Sequence, residues 1–396
     1  MRDDELQVLG SDKSRSKKRL LNWIALAIVS MAALISIVLT LRQYYADEAE
    51  KTRAAELGNT INADLQQVTD SLLDNKLHEL NGMQGQIIVM EVQTGAIKAL
   101  TGLECKFDGT YQPCRNFGYQ QEPGQTIMTP ITLTLLETGD VRLSDKVDVG
   151  NGIWGINEGD SIKDHNWNRG GYGVINMEQA LWVTSNVAFS KMVNKVFKGK
   201  EMEFFSSLDR MSYGQPENIE GIPELKPMIF NSPKDSTWAS NQLLWSTMGY
   251  ERIMAPIQTL TFYNAIANGG KMVKPSLRLG ETEVINEQIS SKENIAEIQK
   301  ALYHVVTEGL AKPAGTPLVP VAGKTGTADV PNYWGGGKEY HVSFCGYFPA
   351  FAPKYSIIVS LNKPGLPASG GLMAGSVFHD IVEWMVHHGW MKDNNQ

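Results

Sequence analysis

The sequence is poor in cysteine, with only three in 396 residues, and it has no internal repeat and no long low-complexity segment. Its seven histidines are scattered, so no metal site and no cofactor are expected. The first 19 residues hold six basic and four acidic side chains, which leaves a net charge of −9 on the rest of a chain whose total is −7. Because nucleic-acid partners favour a basic face, this balance disfavours binding to DNA or RNA.

Two of the cysteines are close in sequence. Cys105 and Cys114 bracket eight mostly polar residues that are typical of a turn. Outside the cytoplasm such a pair can form a disulfide, whereas two unlinked thiols are the alternative, and only geometry decides between them. Cys345 lies in the apolar run 342–347 and is interpreted as a buried packing residue.

One long apolar run dominates the N-terminal part of the chain. Residues 24–41 carry no charge, and at about 1.5 Å per residue such a helix just crosses a hydrocarbon core of roughly 30 Å. Residues 13–19 contain five basic side chains and no acidic one. This asymmetry predicts a cytoplasmic tail at residues 1–19 and a transmembrane helix at residues 20–41. A cleaved signal peptide is disfavoured, because its apolar core is shorter, at about 7–15 residues.

The rest of the chain predicts one large domain behind a short charged stalk at residues 42–57. Periodicity and turn residues predict helices at residues 62–80, 126–136, 177–196, 257–267, 293–310 and 373–388. They predict strands at residues 86–92, 96–100, 318–328, 340–348 and 355–361. Strands at both ends with helices between them predict an α+β fold, in which an antiparallel sheet is completed by the returning chain and flanked by helices.

Two short motifs point to the chemistry of the domain. They are Lys324-Thr325-Gly326-Thr327, on a predicted strand, and Thr184-Ser185-Asn186. A Lys-Thr-Gly strand and a Ser-x-Asn-type turn are two parts of a three-part constellation. On these residues the chain resembles the transpeptidase domain of class B-like penicillin-binding proteins, whose fold is shared with serine β-lactamases. The resemblance covers residues 58–388, which predicts a domain at 58–390 and a tail at 391–396.

The third part of that constellation, Ser-x-x-Lys at a helix start, is degenerate. The aligned segment has Gln125 where the family has its nucleophilic serine and Met128 where it has the lysine. A side-chain amide is not a nucleophile and a thioether carries neither proton nor charge, so no catalytic residue is assigned. A relocated nucleophile is disfavoured, because Ser360 and Lys363, which have the right spacing, would point to opposite faces of a strand.

The resemblance still implies a groove that accepts a peptide. The residues implied to line it are Thr184, Asn186, Lys324, Thr325, Gly326 and Thr327. The strand motif would accept a peptide or β-lactam carboxylate, and the N–H groups of Gln125 and Thr327 would form an oxyanion hole. Three structural alternatives are open: Lys324 pairs with an acid across the groove, Asn186 satisfies only local backbone groups, or the two degenerate side chains fill the groove.

Two functions follow from the resemblance. In the first, a catalytically inactive transpeptidase-like domain binds peptidoglycan stem peptides, β-lactams without a covalent bond, or membrane-bound proteins of cell-wall synthesis. In the second, the domain is an active D-Ala–D-Ala transpeptidase or carboxypeptidase with an unidentified nucleophile. The implied location is the bacterial inner (cytoplasmic) membrane, with one pass and an extracytoplasmic domain. The short stalk is expected to keep that domain near membrane-bound partners.

Overall fold

The computed structural model describes residues 23–24, 26–42, 59–157, 159–215, 218–222, 225–226, 229–230, 238–239, 241–250, 252–330 and 337–392. The chain divides into two units, Met1–Asn59 and Thr60–Gln396. In the first unit, the described residues between 23 and 42 are helical and form α1. Among the described helices, none is both long and apolar enough to cross a membrane. The predicted cytoplasmic tail, the stalk from residue 43 and the C-terminal tail from residue 393 lie outside the described residues.

The second unit contains both helices and strands. Its described helices are α2 (Ala63–Leu80), α3 (Met128–Glu137), α4 (Met177–Trp182), α5 (Asn186–Phe197), α6 (Glu201–Arg210), α7 (Gln242–Ser246), α8 (Pro256–Ala267), α9 (Lys292–Thr307) and α10 (Ser376–His387). Its described strands are β1 (Gln84–Glu91), β2 (Ile97–Cys105), β3 (Tyr111–Pro113), β4 (Lys146–Gly150), β5 (Ile153–Asn157), β6 (Asp160–Lys163), β7 (Gly173–Asn176), β8 (Ile229–Phe230), β9 (Arg252–Ile253), β10 (Met272–Val273), β11 (Val284–Asn286), β12 (Ala322–Val330), β13 (Glu339–Phe348) and β14 (Tyr355–Pro364).

One six-stranded antiparallel sheet forms the centre of this unit. Its strand order is β12-β13-β14-β1-β2-β3, so the last long strands of the chain return beside the first hairpin. Residues 85–90 of β1 and 356–363 of β14 are all buried, as expected for central strands with both faces covered. The predicted α+β fold with an antiparallel sheet is confirmed.

Helices cover the two faces of the sheet. A Cβ on Gly85 of β1 would lie 2.6 Å from Leu73 of α2 and 2.9 Å from Leu361 of β14. Ser356 of β14 instead donates its hydroxyl hydrogen to Asn264 Oδ1 of α8 over 2.7 Å. Leu361 pairs with Gly85 and is an odd number of residues from Ser356 on β14. Because successive side chains of a strand alternate between its faces, α2 and α8 lie on opposite sides of the sheet.

The helix predicted over residues 177–196 is divided in the structure. Helix α4 ends at Trp182 and α5 begins at Asn186. Between them Thr184 has a φ of 56°, a left-handed conformation that a helix does not continue. Ser185 then caps α5, because its Oγ accepts the Ala188 N–H over 3.1 Å. The Thr-Ser-Asn motif therefore lies on a turn between two helices.

The cysteines are free thiols in this structure. Cys105 pairs with Tyr111 in the β2–β3 hairpin, and the N–H of Cys114 donates to Gly102 O over 2.8 Å. Cys114 therefore lies opposite Gly102, and its side chain is on the same face as position 102. Positions 102 and 105 are an odd number of residues apart on β2, so the Cys105 and Cys114 side chains lie on opposite faces of the hairpin. This register explains why the disulfide considered from the sequence is not formed. Cys345 is buried, as predicted.

Candidate functional site

A glycine turn brings the start of α3 against the edge of the sheet. Residues Gly124–Ile127 form a 3-10 turn that leads directly into α3. Gly124 has a φ of +56°, and a Cβ there would lie 2.7 Å from the backbone nitrogen of Thr327 on β12. Glycine is therefore required for this approach. From the other side, the Tyr263 hydroxyl of α8 donates to Thr126 O over 2.8 Å and fixes the turn.

The Gln125 side chain connects this turn to β12. Its Oε1 accepts the backbone N–H of Thr327 over 2.9 Å. The same N–H is one of the two donors that the sequence assigns to an oxyanion hole. The Gln125 side-chain oxygen therefore already accepts the N–H hydrogen bond that an incoming carbonyl oxygen would need.

Met128 belongs to the hydrophobic core. It is fully buried as the first residue of α3, a helix in which all residues from 128 to 136 are buried. Its thioether has no proton to donate and no charge. The two degenerate positions therefore differ in role, since Gln125 reaches across to the edge strand whereas Met128 packs inside.

Lys324 is fully buried on β12. Its Nζ donates to Thr184 Oγ1 over 2.8 Å and to the Thr325 backbone oxygen over 3.1 Å. Burial lowers the pKa of Lys324 to about 7. Within the described part of the chain no carboxylate pairs with this amine, so the alternative of an ion pair across the groove is not observed there. Near neutral pH the amine is therefore partly uncharged.

The remainder of the strand motif is closely enclosed. A Cβ on Gly326 would lie 2.6 Å from Ser343 Oγ on β13 and 2.7 Å from the Pro123 backbone oxygen. Thr325 is buried and Thr327 is half-buried. The absence of a side chain at position 326 therefore allows the edge strand to lie between β13 and the turn.

Asp164 holds the Thr-Ser-Asn turn. Its carboxylate accepts the Ser185 hydroxyl hydrogen over 2.9 Å and the Val187 N–H over 3.0 Å. It is fully buried, and burial raises the pKa of this carboxyl, although the accepted hydrogen bonds act in the opposite direction. Sequence reasoning missed Asp164, because a single acid in a polar loop has no motif that marks it.

Asn186 faces the loop that contains Asp164. Its Nδ2 donates to the Lys163 backbone oxygen over 2.9 Å. Its Oδ1 is buried and has no hydrogen-bond partner within the described residues. The amide is therefore only half satisfied.

His341 on β13 is a second polar group that the sequence did not mark. Its Nδ1 lies 2.8 Å from the Glu122 backbone oxygen, and its Nε2 lies 2.9 Å from Ser360 Oγ on β14. Burial lowers the pKa of His341 to about 4, so the ring is neutral at neutral pH. A neutral ring that donates from Nδ1 to Glu122 O links the residues before the glycine turn to the sheet.

The six-stranded sheet, the helices on both faces and the Lys-Thr-Gly strand beside a helix-start turn define a transpeptidase-type fold. The structure is similar to the transpeptidase domain of penicillin-binding protein 3 from Burkholderia pseudomallei, with a TM-score of 0.71 and 23% identity. That alignment covers 86% of this chain and 98% of the other chain. This similarity shows that the chain has the fold of that transpeptidase domain.

The chain also matches a protein family in sequence. Residues 85–383 match the penicillin binding protein transpeptidase domain, and the chain belongs to this family. It is 25% identical over 349 residues to the peptidoglycan D,D-transpeptidase MrdA of Acinetobacter baumannii, with 76% of this chain and 51% of that protein aligned. It is 26% identical over 280 residues to stage V sporulation protein D of Bacillus subtilis, with 66% and 41% aligned. The chain thus spans about half the length of these curated relatives.

Proposed function

We propose that this protein acts in cell-wall biogenesis by binding peptidoglycan stem peptides or membrane-bound wall-synthesis proteins, without forming an acyl-enzyme. The observation that carries the proposal is the hydrogen bond from the Thr327 N–H to Gln125 Oε1. Acyl transfer needs a nucleophilic hydroxyl and a free oxyanion donor at this point. This chain has an amide at the nucleophile position, and the amide pairs with the donor.

Two further observations support the proposal. The position of the family's lysine is held by Met128, which is fully buried in the core and offers no base. The relative from Acinetobacter baumannii is named a peptidoglycan D,D-transpeptidase, and this name supports peptidoglycan as the ligand class. The half-buried residues Thr184, Asn186 and Thr327 are the polar groups that we expect to bind such a peptide reversibly.

The proposal includes a single-pass anchor in the bacterial inner membrane. The supporting features are the uncharged residues 24–41 and the five basic side chains at 13–19, which favour a cytoplasmic N-terminus and an extracytoplasmic domain at 58–390. Cell fractionation tests it. The full chain should remain in the membrane pellet after alkaline carbonate washing, whereas a variant without residues 1–42 should not. Release of the full chain by carbonate would contradict the anchor.

A fluorescent penicillin tests the lack of acylation. The full chain in detergent should take up no label that survives boiling. The matched variant combines Gln125→Ser with Met128→Lys, which restores the hydroxyl and the amine and frees the Thr327 N–H. This variant should gain covalent label. Label that survives boiling on the unmodified chain would contradict the non-catalytic proposal.

One contact favours a second candidate, an active transpeptidase or carboxypeptidase. Thr184 Oγ1 lies 2.8 Å from Lys324 Nζ, and burial lowers the pKa of that amine to about 7. In this candidate, uncharged Lys324 takes the hydroxyl proton while Thr184 Oγ1 attacks the substrate carbonyl carbon. The C–N bond breaks, the leaving nitrogen takes the proton from Lys324, and an ester on Thr184 remains.

Substitutions at position 184 separate the two candidates. If Thr184 is the nucleophile, the unmodified chain takes up penicillin label, Thr184→Val abolishes it and Thr184→Ser retains it. If the chain is non-catalytic, all three proteins remain unlabelled. Mass spectrometry of any labelled peptide then identifies the acylated residue.

A further inference from the structure

A small cavity lies beside the glycine turn, inside the domain. Its volume is about 10 Å³, which is the least space that holds one water molecule in a protein interior. The residues that line it are all buried, and they include Gln121 before the turn, Thr259 of α8 and Ser343 of β13. None of the lining residues belongs to the set that the sequence implies for ligand binding. The cavity is therefore a separate, interior feature.

The Gln121 side chain contributes an unpaired acceptor to the wall of this cavity. Gln121 is only 8% exposed, and its Oε1 is buried without a hydrogen-bond partner among the described residues. Its Nε2 donates to Ser360 Oγ over 2.7 Å and lies 3.0 Å from His341 Nε2. Because the neutral His341 ring donates from Nδ1 to Glu122 O, its Nε2 is an acceptor and must face an N–H group. This requirement fixes the orientation of the amide and leaves Oε1 in need of a donor.

Thr259 and Ser343 add two hydroxyl groups to the same wall. They are 3% and 2% exposed, and neither hydroxyl has a hydrogen-bond partner within the part of the chain that the structure describes. The third hydroxyl of the lining differs, because Thr126 donates its hydrogen to Pro123 O over 2.8 Å. Unpaired buried polar groups cost folding free energy. Three of them around one cavity indicate a shared partner.

We propose that this cavity binds one water molecule as a fixed part of the fold. A buried water needs about 10–15 Å³ of space and two to four polar partners, and the cavity supplies both. Water has two hydrogens and two lone pairs. It donates one hydrogen to Gln121 Oε1, and the hydroxyls of Thr259 and Ser343 rotate to pair with the rest.

The bound water joins three elements that surround the glycine turn. Gln121 belongs to the segment before the turn, Thr259 to α8 and Ser343 to β13. Helix α8 also holds the turn directly, through the hydrogen bond from Tyr263 to Thr126 O. The water therefore adds a second connection between α8 and the chain around the turn. The inference does not depend on the proposed function, since it concerns how the turn is supported and not what the domain binds.

A crystal structure of the full chain in detergent, at a resolution that shows ordered water, tests the inference. It should show one density peak at about 2.5–3.2 Å from Gln121 Oε1 and from the Thr259 and Ser343 hydroxyl oxygens. The inference is overturned if the cavity contains no peak, or if Gln121 Oε1 accepts from another protein group. Contacts to all three oxygens below about 2.5 Å would indicate a metal cation and would also overturn it.

Two substitutions test the assigned partners. Thr259→Val and Ser343→Ala each remove one hydroxyl and leave the water two polar partners. Each variant should keep the water and lower the folding equilibrium constant about two- to ten-fold, as expected for one lost hydrogen bond. The double variant leaves Gln121 as the single partner, so it should lose the water and the hydrogen bond to Oε1 with it. Its fall in the folding equilibrium constant should exceed the product of the two single effects.

The matched control is Thr261→Val on the same helix. The Thr261 hydroxyl donates to the Ile257 backbone oxygen over 2.9 Å, and Thr261 does not line the cavity. This variant should leave the water in place. Water that persists in the double variant, or single effects that simply multiply there, would overturn the assignment of the Thr259 and Ser343 hydroxyls as its partners.

Discussion

Lys324 and Thr184 join the edge strand of the sheet to the turn between α4 and α5, with Nζ and Oγ1 2.8 Å apart. The lysine is fully buried, and the threonine has a φ of 56°, which is unusual for a β-branched residue. Both features cost folding free energy, since one buries an amine and the other strains the backbone. Substitutions at these two positions should therefore stabilise the fold, while removing polar groups that the family resemblance implies for ligand binding.

Lys324→Met should increase the free energy of unfolding at pH 7 by about 1–3 kcal/mol, because an apolar side chain of similar length replaces a buried amine. The pKa of Lys324 is lowered from 10.5 to about 7 on folding, so between these values only the unfolded chain binds the proton. The free-energy cost of burying the charged amine is therefore complete below pH 7 and falls as the pH rises towards 10.5. Denaturant unfolding at pH 7 and 9.5 should show the gain from methionine shrinking. An equal gain in stability at both pH values would contradict burial of the Lys324 amine as its cause.

Gln125→Ala should expose the Thr327 N–H by removing the oxygen that accepts it over 2.9 Å. Loss of one hydrogen bond at a half-buried position should lower the free energy of unfolding by about 1 kcal/mol. The more specific readout is faster hydrogen exchange at the Thr327 amide. Gln125→Glu keeps an acceptor oxygen and should retain slow exchange. Equal exchange rates in Gln125→Ala and the unmodified chain would show that this bond does not protect the amide.

Asp164→Asn should destabilise the Thr-Ser-Asn turn between α4 and α5. The carboxylate accepts hydrogen bonds from Ser185 and from the Val187 N–H, whereas an asparagine presents one oxygen and one NH2 group to the same two donors. One buried donor is then unpaired, which should cost about 1–3 kcal/mol in thermal or denaturant unfolding. The control is Asp160→Asn at an exposed position on β6, which should change stability little.

His341 should make the fold sensitive to mild acid. Burial lowers its pKa from 6.5 to about 4, so on acidification the unfolded chain takes up the proton first. The stability contributed by the neutral ring is present above pH 6.5 and is lost as the pH falls towards 4, by up to about 3 kcal/mol. Because many carboxylates also titrate in this range, the measurement is the difference between the unmodified chain and His341→Gln at pH 7, 5.5 and 4. A stability difference between the two proteins that does not change with pH would contradict the lowered pKa of His341.

The elements with strong local periodicity were predictable from the sequence. The helix predicted at 62–80 is observed as Ala63–Leu80, and the strand predicted at 340–348 is observed as Glu339–Phe348. The strand predicted from residue 318 begins at Ala322 instead, after Pro320, which has no N–H for a strand ladder. The break between α4 and α5 was also missed, since apolar spacing continues through a turn that one left-handed residue creates.

The sequence alone determined that Gln125 offers an amide and Met128 a thioether, neither of which is a nucleophile or a base, because the chemistry of a side chain does not depend on the fold. Only the tertiary structure decided what these positions and Lys324 do. The bond between Gln125 and Thr327 joins residues 202 positions apart, and the bond between Lys324 and Thr184 joins residues 140 positions apart. Hydrogen bonding and burial at such separations depend on distances that local sequence patterns do not contain.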